Sequence, residues 1–223
     1  MKKLLLPLPL VLLTFGMFAN NVIADEWVIL GSVERLTEEY DAPLFESSIN
    51  RESTLNGFSA KLYGFRDSRY YHGLSYVAMT GDVDFCLQSN CPSVDTTVTM
   101  VSVEFGRDLG QWIPFVSLTW TQTEAEETET RFWDSENRFI VSPGYVIEST
   151  ADTSNFNIGY WLELDTIKVR GSLNNLDGKK PMGVSGGVLL QMDNKFAVGA
   201  EIEIQLDSEA EGFRFSLQFG RSF

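Results

Sequence analysis

Cationic side chains are scarce in this chain: 17 Lys and Arg stand against 31 Asp and Glu, for a formal charge of −14. That balance excludes nucleic acid as a partner, because binding phosphates needs a basic face. After residue 24 no apolar run reaches 18 residues, which excludes membrane-spanning helices. There is one histidine, His72, and there are two cysteines, Cys86 and Cys91. Zinc spacing, a phosphate-binding glycine loop and a nucleotide fingerprint are all missing, so the reading carries no cofactor and no metal site. No convincing amphipathic helix follows residue 25.

The first 24 residues, MKKLLLPLPLVLLTFGMFANNVIA, combine Lys2 and Lys3 with an apolar stretch from Leu4 to Ala19 and small residues at Val22 and Ala24. This pattern predicts a secretory signal peptide over 1–24, cut after Ala24, and a single domain over 25–223. Removing Lys2 and Lys3 takes the formal charge from −14 to −16. An exported chain meets an oxidising compartment, so Cys86 and Cys91 are expected to pair. Closing so short a loop contributes about 2 kcal/mol on the chain-entropy account.

What the mature chain has instead is a period of two. In KFAVGAEIEIQL, Phe196, Val198, Ala200, Ile202, Ile204 and Leu206 share one face. In FNIGYWLEL, Phe156, Ile158, Tyr160, Leu162 and Leu164 oppose Asn157, Gly159, Trp161 and Glu163. TIKVRGSL and the terminal FRFSLQFGRSF alternate in the same way. These are strands. Short turns at 66–69, 106–110, 164–166 and 192–195 alternate with polar connectors at 38–52, 82–95, 124–152, 174–182 and 207–211. The implied strands are 26–37, 53–65, 69–81, 96–106, 110–123, 153–164, 166–174, 183–192, 195–206 and 211–223. Most have the length a tilted strand needs to cross a bilayer.

An exposed Phe-rich edge would aggregate in water. Lipid removes that objection, provided the sheet closes and leaves no backbone group unpaired. The expected fold is therefore all-β: a closed antiparallel transmembrane β-barrel of about ten strands. The count becomes twelve if RFIVSPGYVIES crosses the membrane rather than forming a raised hairpin bent at Ser142-Pro143-Gly144. It becomes eight if the first two strands fail. A soluble sandwich or lipocalin-like barrel would show the same alternation with the phenylalanines packed inside.

Parity assigns the lumen a charge network of Glu34, Lys61, Glu104, Glu163, Lys168, Arg170, Glu201, Glu203 and Arg214. Any of these cations at the lipid midplane would cost about 2–4 kcal/mol. Strand two is ambiguous, since Lys61 shares its face with Tyr63 and Phe65. Aromatic girdles are expected at the short-turn end from Phe65, Tyr70, Tyr71, Phe105, Trp112, Phe196 and Phe223, and at the other end from Trp120 and Phe156. The acidic run TEAEETETRFWDSE reads as a solvated loop face, with divalent cations bridging lipopolysaccharide phosphates as the sharper alternative.

The terminal Phe223, with Phe215, Leu217 and Phe219 at alternate positions before it, resembles the C-terminal assembly signal of bacterial outer-membrane β-barrels. Arg221 departs from that signal. The resemblance implies Gram-negative outer-membrane localisation, outer-membrane lipid and lipopolysaccharide as surroundings, and the barrel-assembly machinery as a partner in biogenesis. It implies roles ranging from surface proteins to narrow channels and a few enzymes. His72 matches neither a lipid A deacylase nor an omptin protease. Ser75 lies on the opposite pleat, and His72 sits at a short turn. The reading is thus a non-enzymatic barrel presenting extracellular loops for surface interaction or envelope integrity. A narrow passive pore for ions or small solutes is the alternative, and a lipid-modifying enzyme the minor one. The extracellular ligand is unspecified.

Overall fold

The computed structural model describes residues 26–44, 47–65, 69–86, 93–133, 139–177, 182–206 and 210–223. The expected signal peptide and Cys91 lie outside them, as does the side chain of Cys86.

Ten strands form: β1 (Glu26–Leu44), β2 (Ser47–Phe65), β3 (Tyr70–Cys86), β4 (Ser93–Arg107), β5 (Trp112–Trp133), β6 (Phe139–Leu164), β7 (Ile167–Asn174), β8 (Gly183–Gln191), β9 (Phe196–Gln205) and β10 (Ala210–Ser222). Each pairs antiparallel with its sequence neighbours, and β1 pairs with β10, so the sheet closes. The closing seam runs from Val28↔Ser222 to Tyr40↔Ala210. Below it, the amide of Phe223 donates to the Trp27 carbonyl at 2.8 Å. The strand count is ten, not eight or twelve.

The short turns are local chemistry. Asp165, at φ 57°, occupies the left-handed position of the two-residue link between β6 and β7, where Asp is tolerated. Between β4 and β5, Gly110 sits at φ 95° and its amide donates to Asp108 Oδ1 at 2.7 Å.

Strand pairing extends into three of the long connectors. β1 and β2 stay paired from Glu26↔Phe65 up to Leu44↔Ser47, and β5 and β6 from Trp112↔Leu162 to Trp133↔Phe139. β3 and β4 likewise extend into 82–95. The expected bend at Ser142-Pro143-Gly144 is instead part of β6, with Ser142 opposite Thr130 and Pro143 opposite Glu129. Pro143 lies beside the register shift between Glu127 and Glu129, a place that tolerates its missing N–H. Above the bilayer neither face needs to be apolar, so pairing continues there without the alternation by which a strand is recognised.

Polarity is inverted relative to a water-soluble barrel. Phe58, Leu118, Phe213, Phe215, Leu217 and Phe219 are exposed, while Glu34, Lys61, Glu104, Lys168 and Ser216 are buried. This distribution excludes the soluble alternative. The outward apolar belt ends upward at Arg35, Asn56, Thr80, Thr97, Gln122 and Ser154. Tyr70, Phe105, Trp112, Tyr160, Phe196 and Phe223 are exposed towards the short-turn end, where amphipathic rings meet headgroups. Phe65 and Tyr71 do not join this girdle: they are 4% and 0% exposed and point into the lumen. The alternation that carries Lys61 inward carries Phe65 with it, and Tyr71 is likewise on the inner face of β3.

Several glycines sit where strands approach too closely for a side chain, Gly220 and Gly57 most tightly. A Cβ on Gly220 would lie 1.8 Å from the Ile29 carbonyl oxygen, across the closing seam, and one on Gly57 would lie 2.0 Å from that of Ala78. At Gly31 the nearest atom would be 4.0 Å away. Gly220→Val is expected to destabilise the barrel by about 2–4 kcal/mol, since only backbone movement relieves the clash. Gly31→Val should change stability little. Urea unfolding in lipid vesicles, followed by heat-modifiable gel migration, measures both.

Candidate functional site in the barrel lumen

The lumen is layered. Its lower end, beside the short turns, is filled by Tyr63, Phe65, Tyr71, Phe115 and Trp161, packed with Leu30, Ile113 and Leu189. Tyr63 meets Trp161 edge-on at 5.2 Å between centroids, and Phe65 lies 5.3 Å from Tyr71 and 5.8 Å from Trp161. Tyr71 and Phe115 are 5.6 Å apart. All five rings are almost wholly buried, so this layer is an aromatic plug.

An ionic layer rests on the plug. Arg170 donates to both oxygens of Glu104, at 2.9 and 2.6 Å, the two-pronged geometry a guanidinium favours. Tyr71 donates to Glu104 Oε2 at 2.5 Å. The Arg170 guanidinium lies 4.5 Å from the Phe115 ring centre and 5.3 Å from that of Trp161. Its Nε faces Glu201 at 3.6 Å. Lys61 bonds Glu201 at 2.8 Å and lies 3.8 Å from Glu34. Gln218 donates to Glu201 at 3.2 Å, and Ser59 and Ser32 donate to Glu34 at 2.6 and 3.1 Å.

The nine charges assigned to the lumen therefore fall into three groups. Glu34, Lys61, Glu104, Arg170 and Glu201 form the central layer. Arg214 and Glu203 pair above it at 2.9 Å. Lys168 and Glu163 pair below, where Lys168 also reaches Glu26 at 3.3 Å and lies 4.5 Å from the Phe65 ring centre. Glu26, Tyr71 and Gln218 complete these groups but are absent from the sequence assignment. Glu26 opens β1, where the alternation is too short to read. Tyr71 looks like a girdle residue by type. Trp161 shares the sequence face of Asn157 and Glu163, so its inward position was available from parity.

Above the ionic layer the lumen widens into a cavity of about 570 Å³, reaching from Lys61 and Arg170 up to Glu38 and Arg51. One wall is apolar: Leu36, Leu55, Val77 and Val98 of β1–β4, with Met100 packed against them. The other carries hydroxyls and amides, among them Thr121, Asn155, Asn157, Ser172 and Ser185.

His72 is not in the lumen. It sits at the lower rim against Phe105, rings edge to face at 5.8 Å, whereas Ser75 lines the cavity. Phe215, Leu217, Phe219 and Phe223 all lie exposed on the outer face, and the Arg221 guanidinium is 5.8 Å from the Phe223 ring centre. Of the acidic run, Glu124 is exposed near the top of β5, while Asp134 and Glu136 lie outside the described residues. Among the described residues no group of three or more His, Cys, Asp or Glu is arranged to hold a metal ion.

The upper outer wall does bring acids together. Asp82 stands directly opposite Asp95, which stands opposite Glu126. A side-chain hydrogen bond to Asp95, reinforced by the nearby Asp95 and Asp84 charges, pushes the Asp82 carboxyl above its ordinary range.

No family model and no curated protein matches this sequence. Solved structures match in fold. The translocator domain of the autotransporter NalP from Neisseria meningitidis is 8% identical over 96% of this chain and 95% of its own, with a TM-score of 0.52. Ail, the attachment invasion locus protein of Yersinia pestis, solved with the heparin analogue sucrose octasulfate, is 12% identical over 90% and 100%, with a TM-score of 0.45. The outer-membrane protease OmpT from Escherichia coli is 6% identical over 92% and 99%, with a TM-score of 0.48. At these identities the shared property is the architecture, that of a small bacterial outer-membrane β-barrel.

Two expectations follow from the charges. Arg170→Met should cost about 3–5 kcal/mol in vesicle unfolding experiments, because Glu104 and Glu201 lose a buried partner. Adding Glu104→Gln should recover part of that loss. At the outer wall the sign is opposite to that of a salt bridge. The raised Asp82 group favours its protonated form in the fold, so its contribution is present below the ordinary carboxylate range and lost as pH rises through the raised value. Asp82→Asn should therefore unfold later than the parent at pH 7 and match it in acid, as followed by thermal circular dichroism.

Proposed function

We propose that this chain is a non-enzymatic, non-conducting barrel of the Gram-negative outer membrane that presents its long hairpins to partners outside the cell. The observation that carries this reading is the aromatic plug. Five buried rings, with Arg170 stacked over two of them, fill the lumen of a small barrel as side chains do. A narrow pore would need that space. The second support is the distribution of strand length. β5 and β6 have 22 and 26 residues, far beyond what a bilayer requires, whereas β7 and β8 have 8 and 9. The extra length gathers at the end opposite the chain termini, where a rigid scaffold offers binding segments. His72 is held against Phe105 at the lower rim, whereas Ser75 lines the cavity on the other face of β3.

Planar-bilayer recording tests the plug. The parent protein should give no steady single-channel conductance. Tyr71→Ala combined with Trp161→Ala should give discrete openings while keeping heat-modifiable migration. Steady conductance from the parent protein would replace this reading with the pore.

A further inference from the structure

We infer that the upper lumen is a binding pocket for a neutral oligosaccharide; this rests on the proposal that the long-hairpin end faces outside. Three observations carry it. First, the cavity of about 570 Å³ is of the size that holds small ligands, and its walls differ in character. Leu36, Leu55, Val77 and Val98 form an apolar side on β1–β4, facing hydroxyls and amides such as Thr121, Asn157 and Ser172 on β5–β7. A pyranose ring has that same division, with C–H groups on its face and hydroxyls around its edge.

Second, the charges beneath are consumed within the protein. Glu104 is held by Arg170 and Tyr71, Glu201 by Lys61 and Gln218, and Glu203 by Arg214 and Asn174. The floor therefore offers no free cation to hold an anionic ligand, while Glu34 Oε2 is left without a hydrogen-bond partner. A neutral ligand suits it better.

Third, two lining side chains on opposite sides of the lumen are each 4% exposed and leave a polar atom without a protein partner: Ser53 Oγ on β2 and Asn155 Oδ1 on β6. Buried polar groups are ordinarily satisfied, and a sugar hydroxyl can donate to both of these atoms. Arg51 Nε at the rim is also unpartnered, which makes an acidic glycan the rival ligand.

The test uses the folded full-length barrel in detergent micelles, where its orientation in a membrane plays no part. The probes are immobilised neutral hexose and N-acetylhexosamine oligosaccharides beside their sulfated and carboxylated counterparts. Retention on neutral glycans, weakened at least tenfold by Ser53→Ala with Asn155→Leu in a barrel of unchanged heat-modifiable migration, is the expected result. Should the double variant misfold, competition by the soluble neutral oligosaccharide and quenching in a Thr121→Trp variant provide the same readout. Retention on none of the probes, retention on acidic probes alone, or equal retention by the folded double variant would overturn the pocket assignment. The absence of conductance, measured separately, bears only on the plug.

Discussion

Every backbone N–H and C=O inside a bilayer must find a partner within the protein, because hydrocarbon supplies none. In this chain the requirement is met by one seam. Without β10 against β1, from Val28↔Ser222 to Tyr40↔Ala210, two strands of open edge would face lipid. Closure has geometric consequences. Ten strands, an even number, bring Trp27 and Phe223 to the same rim, where they exchange backbone hydrogen bonds. A closed wall also has an inside, and the strand period of two then sends alternate residues into a confined space. Ser216 and Gln218 turn inward between Phe215, Leu217 and Phe219. The phenylalanines of the last strand are tolerable for the same reason the seam is necessary: their side of the wall meets lipid.

An enclosed interior has to be filled, and its charges have to be matched. Burying ions costs several kcal/mol each unless they pair closely. Arg170 shows how the cost is offset. It gives two hydrogen bonds to Glu104, faces Glu201, and lays its flat guanidinium near Phe115 and Trp161. A lysine has no planar fork and stacks less well. Where the partner is a single carboxylate oxygen, as at Glu201, lysine suffices, and there Lys61 stands at 2.8 Å. The plug and the ionic layer are thus one packing unit: the rings exclude water, and the charges above use the rings as their floor.

The wall was legible in the sequence because its two sides meet different solvents. β6 to β10 alternate so regularly that their bounds in the fold differ from expectation by at most one residue wherever the chain crosses lipid. Legibility ended where that contrast ends. Above the belt β5 and β6 need no apolar face, so TEAEETETRFWDSE reads as a loop although its residues up to Trp133 belong to a paired ribbon. The plug was hidden for a different reason. Tyr63, Phe65 and Tyr71 have residue types suited to a girdle, and residue type pointed outward where the period, shared with Lys61 in β2, pointed into the lumen. The decision comes from register across strands, which places Tyr63 near Trp161 although 98 positions of sequence lie between them. Glu26 is defined by Lys168 and Gln191, far along the chain, whereas Gln218 shares the face of Arg214 and was passed over because it carries no charge.

The lopsided wall completes the physical picture. Above Ile158, β6 has lost its β7 partner, and above Asp95↔Glu126 β5 has lost β4, so among the described residues the two continue upward paired only with each other. A two-stranded ribbon is marginal by itself; here it is anchored in a wall that cannot open without exposing backbone to lipid. Backbone pairing on both sides is therefore concentrated in the belt and falls with height. Near its base Asp82 and Asp95 stand opposite each other, carboxyl against carboxyl. Such residues weaken the sheet where they stand.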